Sequence, residues 1–114
     1  MIETHGRIWL TLGGKPLLGK GRYDLLLHID RTGSISKAAK SMRMSYKAAW
    51  DAVDAMNNAL GAPVVESATG GAQGGGSQLT ATGRALTEAY ARLLDSHQAW
   101  LANQSLDLSH IVMN

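Results

Sequence analysis

The chain has 114 residues, no cysteine, and 11 Lys and Arg against 9 Asp and Glu, which is the size of a single domain. The lack of cysteine excludes a disulfide scaffold, a thiolate metal site and thiol catalysis. No apolar run reaches the ~18 residues of a membrane-spanning helix and the first residues lack the pattern of a signal peptide, so we expect a cytoplasmic protein outside the membrane.

Charge and glycine are unevenly distributed along the chain. Residues 1–50 carry nine Lys or Arg and three acids, whereas residues 51–114 carry two bases and six acids. Five of the 13 glycines fall between positions 70 and 76. A basic half of this kind predicts a surface that contacts a polyanion.

The first third of the chain predicts a β-hairpin followed by a helix. Residues 7–12 alternate in polarity and read as a strand, and Gly13-Gly14 supplies a turn before a second short apolar segment. From about residue 21 the apolar period becomes helical. Gly33 then ends this first helix, because glycine suits a left-handed helix cap.

Two further helices have the spacing of a helix-turn-helix. Ser34 is the candidate N-cap of the second helix, whose apolar residues recur at helical spacing as far as Met42. Ser45 is the candidate N-cap of a third helix that runs to about Leu60. Two helices separated by three or four residues are typical of the motif.

A hairpin and a long last helix complete the predicted fold. Pro63 ends the third helix, and residues 64–66 and 78–79 predict short strands on either side of a glycine-rich loop. This order predicts a winged helix-turn-helix, mainly α with a small β-hairpin wing, an N-terminal β-hairpin and a long C-terminal helix. We divide the chain into a hairpin extension, a winged helix-turn-helix domain, and a long last helix with its tail: 1–20, 21–85 and 86–114.

Either Thr80 or Thr82 caps the last helix. Its apolar side chains share one stripe: Leu86, Tyr90, Leu93, Leu94 and Leu101. Apolar and polar residues alternate only weakly over residues 106–113, so we assign no secondary structure to this tail.

The start of the third helix is the strongest candidate for base contacts. The N-terminal residues of a recognition helix reach base edges, and we therefore favour DNA contact for Ser45, Tyr46 and Lys47 over an ordinary amphipathic helix. Trp50 fits both DNA contact and packing against a neighbour. Asp51 repels phosphates, so we expect it to face away from DNA or to accept a hydrogen bond from cytosine.

The second helix supplies candidate phosphate contacts. Lys37, Lys40 and Arg43 place three bases within seven residues with no acid among them. The first helix of such a motif crosses the DNA backbone, so these bases would position the protein rather than read sequence. The alternative is a solvated helix face. Ser34 and Ser36 belong to the same predicted surface.

The glycine-rich loop predicts a wing. It lacks the lysine of a Walker motif and lies between two strands, so a nucleotide-binding interpretation fails. Glycines let backbone amides approach phosphates or a minor groove closely. The alternative is a hairpin tip that makes no contact. The wing residues predicted to bind DNA are Thr69, Gly70, Gly71, Gly74, Gly75 and Gly76.

Signals of an enzyme are absent from the sequence. The four histidines have no spacing suited to a shared metal, and no serine has the context of a nucleophile elbow. We therefore expect no catalytic residue, no metal site and no cofactor.

Several short runs together carry a family resemblance. They are Gly33-Ser34-Ile35-Ser36, Ser45-Tyr46-Lys47-x-Ala49-Trp50-Asp51, Met56-Asn57, Ala68-Thr69-Gly70-Gly71, Gly74-Gly75-Gly76 and Leu79-Thr80-x-x-Gly83. Over about residues 20–95 the sequence resembles the N-terminal DNA-binding domain of ModE-type molybdate-responsive regulators. The Ser-Tyr-Lys-x-Ala-Trp run with its glycine-rich wing separates the chain from LysR-type regulators, which share a looser frame.

The resemblance implies a bacterial, nucleoid-associated regulator of transcription that binds a palindromic operator as a homodimer, with a link to molybdenum-related genes. It places DNA contacts at residues 45–47 and at the wing, and dimer contacts on the first and last helices. For the last helix the candidates are Leu86, Tyr90, Leu93, Leu94 and Leu101, with Trp100 as a further contributor.

The chain departs from the family in two respects. Ser67 and Ala72 stand where the family often has bases in or beside the wing. Family members bind molybdate in separate C-terminal domains, and the segment after residue 103 is too short for one. We therefore expect a stand-alone DNA-binding domain, with double-stranded DNA as its partner and no molybdate bound to this chain.

A protein-interaction module is the alternative function. In that interpretation the winged helix docks a partner protein and binds DNA weakly or not at all, which the acidic second half favours. Salt dependence separates the two functions, because binding that neutralises phosphates weakens steeply as salt rises.

Overall fold

The computed structural model describes residues 1–68 and 76–112. The elements in chain order are β1 (Leu10–Leu12), β2 (Lys15–Leu18), α1 (Lys20–Thr32), α2 (Ile35–Ser41), α3 (Tyr46–Leu60), β3 (Val65–Ala68), β4 (Gly76–Leu79) and α4 (Ala81–Ser109), followed by a 3-10 turn (His110–Val112). β1 pairs antiparallel with β2, and β3 pairs antiparallel with β4. The predicted fold class, a mainly α winged helix-turn-helix with an N-terminal hairpin and a long last helix, is confirmed.

Side-chain caps fix where the helices begin. The hydroxyls of Ser34, Ser45 and Thr80 each accept a hydrogen bond from the backbone N–H three residues further on, at 3.0–3.1 Å. Thr80, and not Thr82, is therefore the cap of α4. Gly33 ends α1 with a φ of 71°, the left-handed conformation that glycine adopts without steric cost.

The core lies where α1, α2 and α3 cross. Its α1 members are Leu25, Leu26 and Ile29, all almost completely buried. Ala38 and Ala49 are also completely buried, so small side chains line the crossing of α2 with α3 and bring the two helices close together. Each fully buried leucine or isoleucine contributes about 1.5–3 kcal/mol of transfer free energy.

The segment before β3 is held between the end of α3 and the start of α4. The Val64 N–H donates to the side-chain carbonyl of Asn57 at 2.8 Å, and the Thr80 hydroxyl donates to the Pro63 carbonyl at 2.7 Å. The Val64 carbonyl accepts from the Thr80 N–H. Gly83 lies directly against this carbonyl, where a Cβ atom would overlap the oxygen. The hairpin is thus seated on α4 through backbone contact.

An N-terminal segment that the sequence did not predict runs along α4. Residues 2–8 lie beside the helix in the opposite direction. The Thr4 N–H donates to the Ser105 hydroxyl at 2.9 Å, and the Ser109 hydroxyl donates to the Ile2 carbonyl at 3.3 Å. The contact at Ser109 lies in the tail that the sequence left unassigned, where α4 continues to this residue. No helix in the described ranges is long and apolar enough to cross a membrane.

Tyr90 connects this segment to the core. Its side chain is 1% exposed, its ring centroid lies 5.0 Å from that of Tyr23, and its hydroxyl donates to the Ile8 carbonyl at 2.6 Å. The strand predicted at residues 7–12 is wrong before Leu10, because the Ile8 backbone bonds to α4 instead of pairing with β2.

Burial raises the pKa of the Tyr90 phenol above its usual value. Unfolded tyrosine ionises near pH 10, so this residue's contribution to stability is complete below about pH 10 and is lost as the pH rises further. We expect Tyr90→Phe to lower the free energy of unfolding by about 1–2 kcal/mol at pH 7 by removing the hydrogen bond, and to flatten the loss of stability above pH 10.

Urea titrations followed by circular dichroism between pH 7 and pH 11 measure both effects. Tyr46→Phe, at an exposed tyrosine, is the control and should follow the wild-type profile. An alkaline profile of Tyr90→Phe that parallels wild type would contradict this role for the Tyr90 hydroxyl.

Candidate nucleic-acid interface

A concave surface lies between the start of α2, the start of α3 and the first residues of β4. Six of the residues predicted to bind DNA line it: Ser34, Ser36, Lys37, Tyr46, Trp50 and Gly76. They come from three segments that are up to 42 positions apart in the sequence. The fold therefore gathers separately predicted residues into one surface.

Ser77 anchors the hairpin to this surface and was missed by the sequence analysis. Its N–H donates to the Gly33 carbonyl at 2.8 Å, and its side chain joins the lining. The bond fixes β4 against the turn between α1 and α2. The sequence signal for this anchor is the backbone carbonyl at the end of α1, which has no partner within the helix and needs a hydrogen-bond donor from another element.

Tyr46 and Trp50 form an exposed aromatic pair at the start of α3. Their rings meet edge to face with centroids 6.3 Å apart, and the residues are 56% and 37% exposed. Trp50 therefore packs against Tyr46 and keeps an exposed face, and its contact with DNA stays a prediction. Exposed aromatic rings beside cations are typical of a surface that binds another molecule.

Three cations lie along α2 and the turn that follows it, and Lys37 among them lines the concave surface. Lys37, Lys40 and Arg43 are all exposed. Within residues 1–68 and 76–112, none of them has a carboxylate at ion-pair distance. Their charges are available to phosphate groups, as the phosphate-contact prediction requires.

Lys47 differs from these cations because it already has a partner. Its ammonium group lies 2.8 Å from the carboxylate of Asp51, and both side chains are mainly exposed. The hydrogen bond to Asp51, reinforced by the opposite charge, raises the pKa of Lys47. The carboxylate of Asp51 thus lies on the same side of α3 as Lys47, and its orientation toward or away from DNA stays a prediction.

The remaining predicted DNA residues have mixed positions. The hydroxyls of Ser34 and Ser45 accept backbone N–H groups as helix caps, which leaves their own protons to donate to a phosphate. Of the predicted wing, Gly76 lies in β4. The other wing residues lie outside the described ranges: Thr69, Gly70, Gly71, Gly74 and Gly75.

Arg43 has a backbone conformation that favours glycine. Its φ is 56°, and it follows Met42, the C-cap of α2. Helices commonly place glycine at this position because a side chain is disfavoured there. An exposed arginine with a strained backbone, in the turn after α2, supports a function for its charge.

Substitution of Arg43 should separate stability from DNA affinity. We expect Arg43→Gly to raise the free energy of unfolding by about 0.5–1 kcal/mol by relieving the strain. The same change should weaken DNA binding and reduce the slope of log affinity against log salt by about 0.9 through loss of one phosphate contact. Arg43→Ala is the control, because it removes the charge and keeps the strain. Equal DNA affinity of Arg43→Gly and wild type would exclude the phosphate contact.

The residues predicted for a dimer interface differ in their exposure. Tyr90 and Leu101 are buried within the chain itself, so their side chains do not reach a second copy. Leu86 and Leu94 are half-buried against the core, and only Leu93 of the five is exposed. The contact surface that α4 offers is therefore narrower than predicted.

Comparison with known proteins identifies relatives of the chain. The family model described as "Bacterial regulatory helix-turn-helix protein, lysR family" matches residues 22–84. The molybdenum-pterin-binding protein MopB of Rhodobacter capsulatus is 55% identical over 76 residues, which cover 67% of this chain and 28% of MopB. The molybdenum transport protein ModE of Azotobacter vinelandii is 46% identical over 94 residues, which cover 82% of this chain and 35% of that protein.

The DNA-binding transcriptional dual regulator ModE of Escherichia coli strain K12 is 47% identical over 97 residues, which cover 85% of this chain and 37% of that protein. The chain thus spans 28–37% of the length of these three relatives. Their matches confirm the resemblance to the N-terminal DNA-binding region of ModE-type regulators.

Solved structures agree on the fold. A CbnR_DBD–DNA complex matches with a TM-score of 0.57 and 24% identity, covering 85% of this chain and 100% of that one. Full-length CbnR complexed with its target DNA matches with a TM-score of 0.55 and 25% identity, covering 82% of this chain and 29% of that one.

Proposed function

Because the chain belongs to the lysR family of bacterial regulatory helix-turn-helix proteins, we propose that it binds specific double-stranded DNA sequences through the concave surface and thereby regulates transcription. The observation that supports this most is the gathering of six predicted DNA residues on one surface, among them the exposed cation Lys37. Because its ligand would be the bacterial chromosome, we place it in the cytoplasm, at the nucleoid.

In the proposed complex, α3 enters the major groove and α2 lies across the DNA backbone. A helix with its side chains is about 10–12 Å wide, which matches a major groove about 12 Å wide. Tyr46, Lys47 and Trp50 then face base edges, while Lys37 and Lys40 face phosphates. The bond between Ser77 and Gly33 holds the hairpin beside the entering helix, where a wing reaches the adjacent backbone.

We propose that two copies bind a palindromic operator and that α4 joins them. The exposed side chains of Leu93 and Trp100 lie seven residues apart on this helix, a spacing that puts them on one face. A two-fold dimer then presents two copies of α3 to half-sites about 34 Å apart. Leu86 and Leu94 extend this face toward the core.

We further propose that the regulated genes concern molybdenum, since relatives are named for molybdenum transport and molybdenum-pterin binding. Lys37, Lys40 and Arg43 are spread along an exposed helix and turn and do not enclose a small oxyanion. We therefore expect no stoichiometric binding of molybdate to this chain. Calorimetry with molybdate tests this, and a saturable heat at one ion per chain would overturn it.

Fluorescence anisotropy with labelled DNA tests the regulator function. The probe is a duplex recovered from a random-sequence pool by selection with the wild-type chain. We expect two chains per duplex, and a slope of log affinity against log salt of about −3 or steeper for each chain that neutralises three phosphates. Absence of any complex at low salt would reject this function and favour the protein-interaction module.

A further inference from the structure

The ion pair between Lys47 and Asp51 adds little to the stability of the fold. The two groups are 2.8 Å apart on the surface of α3, and exposed pairs of this kind contribute little. Their order is also the less favourable one, with the base nearer the positively polarised start of the helix. Ser45 already caps this helix. Helix stability therefore does not account for the pair.

A second pair with the same geometry provides a comparison. Lys20 and Asp24 are also four residues apart, on α1, with a nitrogen–oxygen distance of 2.8 Å. None of these four residues lines the concave surface. Lys47 and Asp51 lie on α3 on either side of Trp50, which does line it, whereas Lys20 and Asp24 lie on α1. The two pairs thus carry the same charges at the same spacing but lie on different helices, and the ammonium group of Lys20 also lies 5.9 Å from the ring centroid of Tyr23.

The Lys47 and Asp51 pair combines one donor with one acceptor at a spacing suited to base edges. The residues are separated by about 6 Å along the helix axis, so they reach one base pair or two neighbouring pairs. In the major groove a guanine offers two acceptors and its paired cytosine offers an amino donor. Lysine bonds to guanine and aspartate accepts from cytosine, whereas an A·T pair presents a different order of groups.

Building on the proposed function, we propose that Lys47 and Asp51 read a G·C base pair as one unit, and that Asp51 is a specificity-determining residue. At a matching site, Lys47 donates to guanine while Asp51 accepts from the cytosine amino group. At other sites the carboxylate has no donor and repels the phosphates. It also keeps the ammonium group of Lys47 occupied, which reduces charge-driven binding to arbitrary DNA.

Asp51→Asn tests this inference, because it keeps the shape of the side chain and removes its charge. Affinity is measured for the selected duplex and for a shuffled duplex of the same composition. We expect affinity for the shuffled duplex to rise about threefold or more through the gained positive charge. Affinity for the selected duplex should fall about tenfold through the lost base contact.

A second selection from the random pool with the Asp51→Asn chain identifies the base pair concerned. Asparagine pairs well with adenine, so the preference at one position of each half-site should change from G·C toward A·T. Asp24→Asn makes the same charge change in the control pair and should leave the ratio of the two affinities within about twofold of wild type. Circular dichroism should show both variants folded as wild type.

Two results would overturn the inference while leaving the regulator function standing. One is an unchanged ratio of selected to shuffled affinity in Asp51→Asn with an unchanged sequence preference. The other is an equal change of the ratio in Asp24→Asn, which would make net charge the cause. If the wild-type chain binds neither duplex, the regulator function fails and this inference fails with it.

Discussion

Gly83→Ala lowers the free energy of unfolding by about 2–4 kcal/mol, although alanine is the better helix former. The Cβ of an alanine here would overlap the carbonyl oxygen of Val64 and lie 3.1 Å from its carbonyl carbon. Both are backbone atoms, and the same carbonyl accepts the N–H of Thr80. The hairpin and α4 must therefore separate to admit the methyl group.

Gly21→Ala is the matched control for this substitution. Gly21 also lies in a helix, and a Cβ there would meet no atom within 4 Å. We expect it to raise the free energy of unfolding by about 0.5 kcal/mol through helix propensity alone. Chemical unfolding of both variants measures the contrast. A Gly83→Ala chain as stable as Gly21→Ala would show that the contact between the hairpin and α4 is looser than described.

Reversing the charge of Lys37 and Lys40 together should lower affinity for the selected duplex about 100-fold at ~0.1 M salt. The change removes two phosphate contacts and places two carboxylates against the DNA backbone. We also expect the salt slope to become shallower by about 2. The double variant Lys37→Glu with Lys40→Glu should keep wild-type stability, because both side chains are exposed.

The control reverses two cations far from the concave surface. Lys15 lies at the turn of the N-terminal hairpin and Arg92 lies on α4, and both are exposed. Lys15→Glu with Arg92→Glu produces the same net charge as the test variant. Its affinity should stay within about threefold of wild type, because the loss depends on position and not on total charge. An equal loss in both double variants would contradict the assignment of α2 to the phosphate contacts.

Local chemistry made the fold largely predictable from sequence. Ser34, Ser45 and Thr80 each have the residue type and the position of a helix cap, and each accepts the predicted backbone bond. Gly33 ends α1 in the left-handed conformation for the same local reason. These signals operate over three or four residues, so neighbouring residues in the sequence suffice to reveal them.

Contacts between distant residues were the part that the sequence did not reveal. The polar bonds of Thr4 and Tyr90 join positions about 80–100 apart, and no local pattern identifies such partners. The same limit affected the predicted dimer interface, since helical spacing placed Tyr90 with the interface leucines although it packs inside the chain. The ion pair of Asp51 with Lys47 was missed because helix periodicity gives a face but not the rotamer that brings the carboxylate to the ammonium group.

The candidate site was predictable in its residues and not in its geometry. The runs around Ser34 and Ser45 pointed to α2 and α3 separately. The sequence did not show that β4 completes the surface through the bond between Ser77 and Gly33. That bond joins two backbone groups, which carry no side-chain signature.

The central claim is that DNA binds to the concave surface formed by α2, α3 and β4. The three tryptophans report on it directly, because Trp9, Trp50 and Trp100 are all exposed and only Trp50 lines this surface. The measurement is a titration of the ¹⁵N-labelled chain with the selected duplex, following the three indole N–H resonances. We predict that the indole N–H resonance of Trp50 shifts on addition of the duplex, whereas the resonances of Trp9 and Trp100 stay at their free-protein positions. Shifts caused by dimer formation alone are identified by varying the protein concentration without duplex. An unmoved Trp50 with a duplex-dependent shift of Trp9 or Trp100 would contradict the claim.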